Sequence, residues 1–454
     1  MSKQTSNKSG SGKGLDLKVS AAQLTQAILV HVEPKVRRSA GVTRSADEKL
    51  QEFAGLAQAI DLELAAEFSV PLSVPKPATL IGDGKVKEIA ASVKETGAEL
   101  VLVNAMLSPI QQRNLERAWD AKVLDRTALI LEIFGRRAST REGSLQVELA
   151  HLQYQKSRLV RSWTHLERQR GGFGFLGGPG ESQIETDRRL IQERITRIER
   201  DLAAVVKTRG LHRKGRARVP YPVVALVGYT NAGKSTLFNR LTSANVLAKD
   251  MLFATLDPTM RQLDMPKGRK VVLSDTVGFI SDLPTTLIAA FRATLEEVLA
   301  ADIILHVRDI SHVESDAQAG DVNTVLSQLG VDEIRRSRMI EVWNKSDLLE
   351  PLELAQREAN ASRKDNCFLV SAVDGSGVEE LLDRVEFLLG RESTSYSVTI
   401  DPENGKGFAW LHERGEVLSK SVGRTGKVTV YVRLDEDRAG QAKSQFGRAM
   451  RRAG

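Results

Sequence analysis

An eight-residue motif constrains the fold of this 454-residue chain more than any other feature. Gly228-Tyr-Thr-Asn-Ala-Gly-Lys-Ser235 fits the pattern G-x-x-x-x-G-K-[ST], follows the apolar run 223–227 and precedes the helical pattern TLFNRL. Glycines in such a loop let successive backbone N–H groups converge on phosphate oxygens, and the N-terminus of the next helix adds its positive end. The motif predicts a P-loop domain in which strands and helices alternate around a mostly parallel sheet.

The residues of this loop and of a second motif predict how phosphates and a metal would bind. Lys234 is expected to reach the β- and γ-phosphates, and the Ser235 hydroxyl to coordinate Mg²⁺. Asp275 ends the strand pattern KVVLSD and opens the sequence Asp-Thr-Val-Gly278. An acid there can hold a Mg²⁺-bound water, and the N–H of Gly278 can sense the γ-phosphate.

A third motif, Asn344-Lys-Ser-Asp347, follows another predicted strand and indicates which base is bound. A carboxylate at Asp347 can accept hydrogen bonds from N1–H and the 2-amino group of guanine, whereas adenine would leave it unpaired. Ser371-Ala372 closes the strand pattern CFLV and is expected to place a backbone N–H near the guanine O6. Together with the P-loop and D-x-x-G, these residues predict a GTPase domain that binds GTP and GDP.

Phe279 follows Gly278, at the place where many signalling GTPases carry a glutamine that orients the attacking water. Because a phenyl ring cannot polarise water, a partner or a cation must supply this function. Asn231 occupies the P-loop position at which GTPases with a hydrophobic residue after D-x-x-G often bind K⁺, so stimulation by K⁺ is a hypothesis. The alternative for Asn231 is an amide that only stabilises the loop.

Patterns along the rest of the chain predict an α/β multidomain protein. We expect a disordered tail over 1–22, an N-terminal parallel α/β domain over 23–140, a long helical hairpin over 141–215, the P-loop GTPase domain over 216–392 and a small β-rich C-terminal domain with a basic tail over 393–454. Apolar runs at 27–33, 98–103 and 122–126 predict strands of the N-terminal domain. The basic segment 207–218 is expected to be a linker or a surface facing phosphate.

The hairpin is predicted from apolar residues that recur at helical spacing on two arms: Leu145, Leu149, Leu152, Leu159, Trp163 and Leu166, then Ile191, Ile195, Ile198 and Leu202. The glycine-rich segment 171–180 between them can continue neither helix. The first arm is basic and carries Lys156, Arg158, Arg161, Arg168 and Arg170 against Glu167. The hairpin is either a packing or dimerising coiled coil, or an arm that follows RNA phosphates while Phe173 and Phe175 of the tip stack on unpaired bases.

Composition and net charge indicate which kind of partner and which cellular compartment suit the protein. An excess of 65 Lys and Arg over 58 Asp and Glu gives a net charge of +7, which favours a polyanionic partner. The single cysteine, Cys367, excludes an internal disulfide and fits a reducing compartment. No apolar run approaches the roughly 20 residues that span a bilayer. We therefore expect a cytoplasmic protein without a membrane span. A monomeric state and a membrane-associated fraction are further expectations.

Several stretches resemble one family: EGSLQVELAHLQYQKSRLVRSWTHLERQRGGFGFLGGPGESQIETDRRLI (142–191), LIGDGKVKEI (80–89), LDRTALILEIFGRRA (124–138), FATLDPT (253–259) and DTVGF (275–279). Over residues 25–392 the chain resembles HflX, a ribosome-associated GTPase family of the Obg–HflX group. The resemblance implies an N-terminal α/β domain, a helical hairpin and a GTPase domain. It also implies binding to the large ribosomal subunit, with rRNA contacted through the hairpin at 151–180, and the splitting of stalled ribosomes under stress.

Two threonines of FATLDPT, Thr255 and Thr259, compete as second Mg²⁺ ligand, and the resemblance favours Thr255. Catalytic candidates are then Lys234, Thr255 and Gly278, and metal-binding candidates are Ser235, Thr255 and, through water, Asp275. The candidate nucleotide-binding residues are Gly228, Tyr229, Thr230, Asn231, Ala232, Gly233, Lys234, Ser235, Thr236, Phe253, Ala254, Thr255, Leu256, Asp257, Asp275, Thr276, Val277, Gly278, Asn344, Lys345, Ser346, Asp347, Ser371 and Ala372. Two other functions stay open: a GTPase of large-subunit assembly, and an NTP-driven RNA-remodelling enzyme with a nucleotide site in its N-terminal domain.

Overall fold

The structure is a computed structural model. It describes residues 25–34, 45–169, 179–216, 221–243, 252–253, 255–256, 258–282, 292–391, 393–423 and 426–453. The predicted tail over 1–22, the tip residues Phe173 and Phe175, and the candidate site residues Ala254 and Asp257 lie outside these ranges.

Four parallel strands form the first sheet, in the order β2-β1-β3-β4. The strands are β1 (Thr25–Pro34), β2 (Leu62–Leu72), β3 (Leu100–Asn104) and β4 (Lys122–Asp125). The helices are α1 (Ala46–Gln58), α2 (Asp83–Thr96), α3 (Pro109–Trp119) and α4 (Arg126–Arg137). Strands β1, β3 and β4 coincide with the three predicted runs, and the central strands β1 and β3 are buried along most of their length, as parallel strands covered on both faces must be.

The sequence analysis did not identify α1 and β2. Burial alternates along β2, with Glu63 and Glu67 among its outward residues and Pro71 near its end, so the strand lacks the continuous apolar run of its neighbours. An edge position tolerates both features, because one side of the strand has no ladder to complete. Helix α1 begins at a Ser45 side chain that accepts a hydrogen bond from the Glu48 N–H, 3.1 Å away.

Two long helices follow, α5 (Arg141–Gln169) and α6 (Pro179–Arg216). An Arg194–Glu148 ion pair and a Lys156–Gln192 hydrogen bond join them in antiparallel order. At 1.5 Å per residue, the 29 residues of α5 extend about 43 Å. Of the predicted apolar positions, Ile195 and Ile198 on α6 are buried.

Two expectations for this region are wrong. Residues 207–216 are not a linker, because α6 continues through their lysines, arginines and leucine, which are good helix formers, as far as Arg216. Arg158 is not an open phosphate contact, because its guanidinium forms an ion pair with the fully buried Asp125 carboxylate, 2.5 Å away. The charge of Arg158 is therefore used inside the protein.

Six strands form the second sheet, in the order β10-β9-β8-β5-β7-β6, and among these described strands β6 alone is antiparallel to its neighbour. They are β5 (Val223–Gly228), β6 (Thr259–Asp264), β7 (Lys270–Asp275), β8 (Ile303–Asp309), β9 (Ile340–Asn344) and β10 (Cys367–Leu369). The helices are α7 (Lys234–Thr242), α8 (Arg292–Leu299), α9 (Ser315–Gln328), α10 (Glu333–Ser337), α11 (Pro351–Ala361) and α12 (Val378–Arg391). Because parallel strands end at one edge, the motifs that follow β5, β7, β9 and β10 meet there.

The third sheet is antiparallel, in the order β12-β13-β11-β14. Its elements are β11 (Ser393–Ile400), α13 (Gly405–Arg414), β12 (Glu416–Val422), β13 (Val428–Asp435), α14 (Glu436–Phe446) and β14 (Met450–Arg452). This chain order is the β-α-β-β-α-β arrangement of split βαβ folds. The predicted β-rich C-terminal domain is confirmed, and the antiparallel pairing of its strands and the two helices that cover one face of the sheet were not predicted.

One hydrophobic core joins the first two sheets. Phe53 of α1 and Phe134 of α4 belong to the same buried cluster as Phe253 and Phe279, which lie beside the P-loop. The rings of Phe134 and Phe253 meet edge to face, with centroids 4.7 Å apart. The segments expected to respond to nucleotide are therefore packed against the N-terminal domain. In the described part of the chain, no helix combines the length and apolar character needed to cross a bilayer.

Candidate guanine-nucleotide site

The P-loop lies between β5, which ends at Gly228, and α7, which begins at Lys234. Its last glycine, Gly233, has φ of +88°, and a Cβ at this position would lie 2.2 Å from Asn344 Nδ2. Only glycine fits this conformation and this space. No side chain caps α7, so the positive end of the helix faces the loop as an anion site requires.

Lys234 is held inside the loop by the backbone. Its Nζ donates hydrogen bonds to the carbonyl oxygens of Gly228, at 3.1 Å, and Tyr229, at 2.7 Å, and the residue is 6% exposed. Burial lowers the pKa of Lys234 to about 8, and the nearby Asp275 carboxylate offsets part of that effect. A bound phosphate would favour the charged ammonium further, because opposite charges stabilise each other in a buried site.

Three oxygen-bearing side chains from separate parts of the sequence converge beside this lysine. Ser235 Oγ donates to Asp275 Oδ2 at 2.7 Å, Thr255 Oγ1 donates to the same oxygen at 3.1 Å, and the two hydroxyls are 2.8 Å apart. Burial raises the pKa of Asp275, while Lys234 and the two hydroxyls act in the opposite direction. Asp275 Oδ1 is buried and has no hydrogen-bond partner among the described residues. This cluster of hydroxyl and carboxylate oxygens suits a hard cation such as Mg²⁺.

Thr259 occupies a different place. It begins β6 and is paired with Asp275 through the ladder between β6 and β7. The Thr255 hydroxyl, by contrast, hydrogen-bonds directly to the Ser235 and Asp275 side chains. The geometry thus favours Thr255 as the second metal ligand.

Two backbone hydrogen bonds join the D-x-x-G segment to the P-loop. The Thr230 N–H donates to the Phe279 carbonyl at 2.7 Å, and the Phe279 N–H donates to the Gly228 carbonyl at 3.1 Å. A Cβ on Gly278 would lie 2.8 Å from Thr230 Cγ2 and 3.1 Å from Lys234 Nζ, so this approach needs glycine. The Phe279 side chain is 1% exposed within the shared core, which keeps it from any role in orienting water.

Asn344 links the base-recognition motifs to the P-loop. It is 1% exposed, its Nδ2 donates to the Ala232 carbonyl at 2.8 Å, and its Oδ1 accepts from the Ala372 N–H at 3.0 Å. The Ser371 N–H donates to the Ser376 carbonyl, 3.0 Å away. The backbone N–H groups of Ser371 and Ala372, one of which is predicted to approach guanine O6, are therefore both engaged within the protein in this conformation.

The remaining residues of this motif lie at the surface of the site. Lys345 has a left-handed backbone, with φ of +67°, and forms an ion pair with Asp309 at 2.7 Å. Asp347 lies in a 3₁₀ turn over 346–348 and is exposed. Its carboxylate is accessible to a base that enters from solvent.

The remaining predicted nucleotide-binding residues differ in where their side chains lie. Those with side chains in the shared hydrophobic core are Phe253, Leu256 and Val277, which could reach a nucleotide only through their backbone. Thr276 is buried and donates to the Leu226 carbonyl at 2.6 Å, whereas Asn231 is exposed. Thr236, in the first turn of α7, is half-buried.

Sequence reasoning missed a buried polar cluster at the back of the P-loop. The Tyr229 hydroxyl hydrogen-bonds to Glu52 of α1 and accepts from the Ser281 N–H at 2.8 Å. Arg126 of α4 forms an ion pair with Glu52 at 2.7 Å. Because 74 to 229 residues separate the partners from Glu52 along the chain, no local motif could have indicated the cluster.

Four family models match successive parts of the chain. They are the GTP-binding GTPase N-terminal model over 47–135, the GTP-binding GTPase Middle Region over 137–216, the 50S ribosome-binding GTPase model over 223–345 and the HflX C-terminal domain over 355–453. With the P-loop, D-x-x-G and N-K-x-D motifs at one sheet edge, these matches define a P-loop GTPase that binds guanine nucleotides and hydrolyses GTP.

Similarity to individual proteins narrows the class further. The chain is 50% identical to a GTPase HflX of Magnetococcus marinus over 394 residues, which cover 87% of this chain and 89% of that protein. It is 44% identical to a GTPase HflX of Escherichia coli over 410 residues, which cover 90% and 93% of the two chains. The chain belongs to the HflX family, and the resemblance recognised in the sequence is confirmed.

Proposed function

We propose that this GTPase binds the large ribosomal subunit in its GTP state, splits stalled ribosomes and leaves the subunit after hydrolysis. The observation that carries the proposal is the convergence of Ser235, Thr255 and Asp275 between the P-loop and the two segments beside it. A γ-phosphate and its metal would hold both segments at once, and loss of the phosphate would release them. The surface that they form can therefore report which nucleotide is bound.

Within this proposal Ser235 and Thr255 hold Mg²⁺ directly, and Asp275 holds it through water. The metal supplies positive charge that neutralises the developing charge on the phosphates. Lys234 adds a second positive charge, and the Gly278 N–H is the group that would sense the γ-phosphate. Asn344 fixes the P-loop relative to Asp347, which recognises guanine.

The water-orienting group is proposed to come from outside the described site. Burial of Phe279 excludes its side chain, so the ribosome or a K⁺ ion beside Asn231 would complete the arrangement. Comparing GTPase rates in KCl and in NaCl tests the cation, with and without large subunits. Equal rates in the two salts under both conditions would remove K⁺ from the proposal.

The hairpin is proposed as the part that contacts rRNA, at 151–180. Its first arm is about 43 Å long, which offers an extended surface for such a contact. We further propose that the protein acts as a monomer on cytoplasmic ribosomes, with a fraction at the membrane.

Sedimentation with isolated ribosomal subunits tests the nucleotide dependence. Co-sedimentation with large subunits is expected with a non-hydrolysable GTP analogue and not with GDP, because only the analogue offers a γ-phosphate to both segments. Equal association in the empty, GDP and GTP-analogue states would refute the proposal. Splitting is tested separately: the analogue-bound protein should convert monosomes into subunits, whereas a GTPase of large-subunit assembly would bind subunits and leave monosomes intact.

A further inference from the structure

Two consecutive residues at the junction of β4 and α4 contact different parts of the molecule. The Asp125 side chain contacts the first arm of the hairpin, and the Arg126 side chain contacts the segment that follows D-x-x-G. Both residues are buried, at 1% and 7% exposure. The junction therefore lies between the nucleotide site and the hairpin.

Arg126 uses its planar guanidinium to hold several partners. Its Nη2 donates to the Ser281 carbonyl at 2.8 Å, to the Ser281 hydroxyl at 3.1 Å and to Glu52 Oε1 at 2.7 Å. Its Nη1 donates to Asn104 Oδ1 at 2.9 Å, at the end of β3. Ser281 lies three residues after Gly278, so Arg126 holds the segment expected to move with the γ-phosphate.

Glu52 completes the contact from the other side. The Ser281 hydroxyl donates to Glu52 Oε1 at 2.7 Å, and the Tyr229 hydroxyl also bonds to this carboxylate. Burial opposes the ionisation of Glu52, but the Arg126 charge and these hydroxyls bring its pKa below the ordinary value. A charged pair so enclosed cannot lose one partner without a large penalty. A displacement of Ser281 must therefore be followed by Arg126 or break the cluster.

Asp125 makes the matching contacts toward the hairpin. Its carboxylate caps α4 by accepting from the Ala128 N–H at 2.9 Å. The same carboxylate accepts from the Tyr154 hydroxyl at 2.8 Å and from Arg158 Nη2 at 2.5 Å, both on α5. Arg158 also stacks on the Tyr154 ring, with its guanidinium carbon 4.3 Å from the ring centroid. An ion pair with Arg158 and a hydrogen bond with Tyr154 thus join Asp125, at the start of α4, to the first arm of the hairpin.

We propose that the Asp125-Arg126 pair transmits the state of the nucleotide to the hairpin. The argument rests on the proposed function, in which GTP changes affinity for the large subunit. Movement of Ser281 shifts Arg126, and Asp125, joined to it by one peptide bond, carries the shift to Tyr154 and Arg158. Both are positioning residues, because their hydrogen bonds within the described structure go to Asn104, Glu52 and Ser281 and to Leu107, Ala128, Tyr154 and Arg158, and not to the P-loop at 228–235.

Arg126→Lys is the sharpest test, because lysine can keep the ion pair with Glu52 but cannot hold two partners with a planar fork. Arg136→Lys is the matched control: Arg136 is also on α4, but its contacts, the Ile60 carbonyl at 2.7 Å and Asp61 at 3.3 Å, stay within the N-terminal domain. For each protein, large-subunit affinity is measured with the GTP analogue and with GDP. The wild type and the control are expected to show a ratio of about 5–150, in the usual range of coupling between sites. For Arg126→Lys we expect a ratio within about threefold of one, with unchanged nucleotide affinity in the isolated protein.

The reciprocal effect, that of the large subunit on GTP affinity, provides a second measurement. A loss of packing around residue 126 alone would not change it. If GTP strengthens subunit binding, the subunit must strengthen GTP binding by the same factor. That strengthening should survive in Arg136→Lys and vanish in Arg126→Lys. Hydrogen exchange across residues 145–159 should likewise respond to nucleotide in the wild type and not in Arg126→Lys.

The outcomes separate the two proposals. A wild-type ratio of one would overturn the GTP-gated function and this inference with it. A nucleotide-dependent wild type together with an unchanged ratio in Arg126→Lys would overturn the inference alone. Should the lysine variant fail to fold, the double variant Glu52→Gln with Arg126→Gln removes both buried charges together, and the same ratio decides the question.

Discussion

The first two sheets of this protein, one parallel and one mostly parallel, are each followed by helices that begin in different ways. In the N-terminal sheet the protein caps its own helices: α3 has a capping box between Ser108 and Gln111, and Asp125 caps α4. In the GTPase sheet, α7 follows Gly233 and has no side-chain cap. A helix that serves a phosphate needs its N-terminal N–H groups for the ligand, and α7 leaves them uncapped, whereas α3 and α4 each satisfy one of theirs with a side chain.

Helix α2 is an informative intermediate case. Its N-cap is Gly82, without a side-chain cap, so in this respect it resembles α7. However, Asp83 occupies its first turn and forms an ion pair with Lys76 at 2.8 Å. A carboxylate at that end of a helix takes the place that an anion would use. The contrast therefore favours a phosphate site in the second sheet rather than the first.

Lys234→Ala is the largest perturbation and could break this contrast. We expect GTP and GDP affinity to fall by about 30-fold or more, because truncating one partner of a buried charge pair costs about 2–5 kcal/mol. Equilibrium binding of a fluorescent guanine nucleotide measures the loss, and Lys267→Ala, an exposed lysine paired with Asp383, is the control. ATP turnover that persisted in Lys234→Ala would point to a site in the first sheet and support the RNA-remodelling alternative.

Asp347→Asn sharpens the assignment of the base. GTP affinity should fall by about 100-fold, since the variant amide cannot accept from both the N1–H and the 2-amino group of guanine. Xanthosine triphosphate, with an oxygen at C2, should bind the variant better than GTP does. Competition binding measures both effects, and unchanged GTP affinity would contradict the proposed role of Asp347.

Thr255→Ala and Thr259→Ala test the oxygen cluster that distinguishes the second sheet. Removing the Thr255 hydroxyl should lower GTP turnover about tenfold and raise the Mg²⁺ concentration needed for half-maximal rate, because one metal ligand is lost. Thr259→Ala should change neither quantity by more than about threefold. Titration of turnover with Mg²⁺ compares the two variants, and the opposite ranking would make Thr259 the ligand.

Ser108→Ala has the smallest expected effect. It tests the N-terminal sheet, in which side chains cap α3 and α4. Loss of the capping box should lower the free energy of unfolding of the N-terminal domain by about 1 kcal/mol. Guanine-nucleotide affinity should stay as in the wild type. Urea unfolding followed by the fluorescence of Trp119, which is buried in this domain, provides the measurement, in a background where the other three tryptophans are replaced by phenylalanine. Weaker nucleotide binding in this variant would show that the two sheets do not have separate roles.

Local sequence was sufficient where one short segment determines the chemistry. The P-loop, Asp275 and Asn344 lie at strand ends, so a linear pattern predicts both their elements and their proximity. The central strands β1 and β3 were predictable for a similar reason, because burial on both faces gives them continuous apolar runs.

The rest depends on contacts between distant segments. Nothing near Glu52 indicates that it will meet Arg126, Tyr229 and Ser281, since such pairing is decided by how the first two sheets pack. The edge strand β2 was missed for a related reason: its alternating pattern reflects one covered face, a property of tertiary position.

The burial of Phe279 determines how the segment after D-x-x-G can move. Its ring is enclosed in the core between the first two sheets, while its backbone is bonded to the P-loop. A gradual slide of this segment would draw an aromatic side chain into water, at a cost of about 1.5–3 kcal/mol before any new pocket receives it. Intermediate positions of this segment are thus sparsely populated, and the GTPase should switch between discrete conformations rather than change shape gradually.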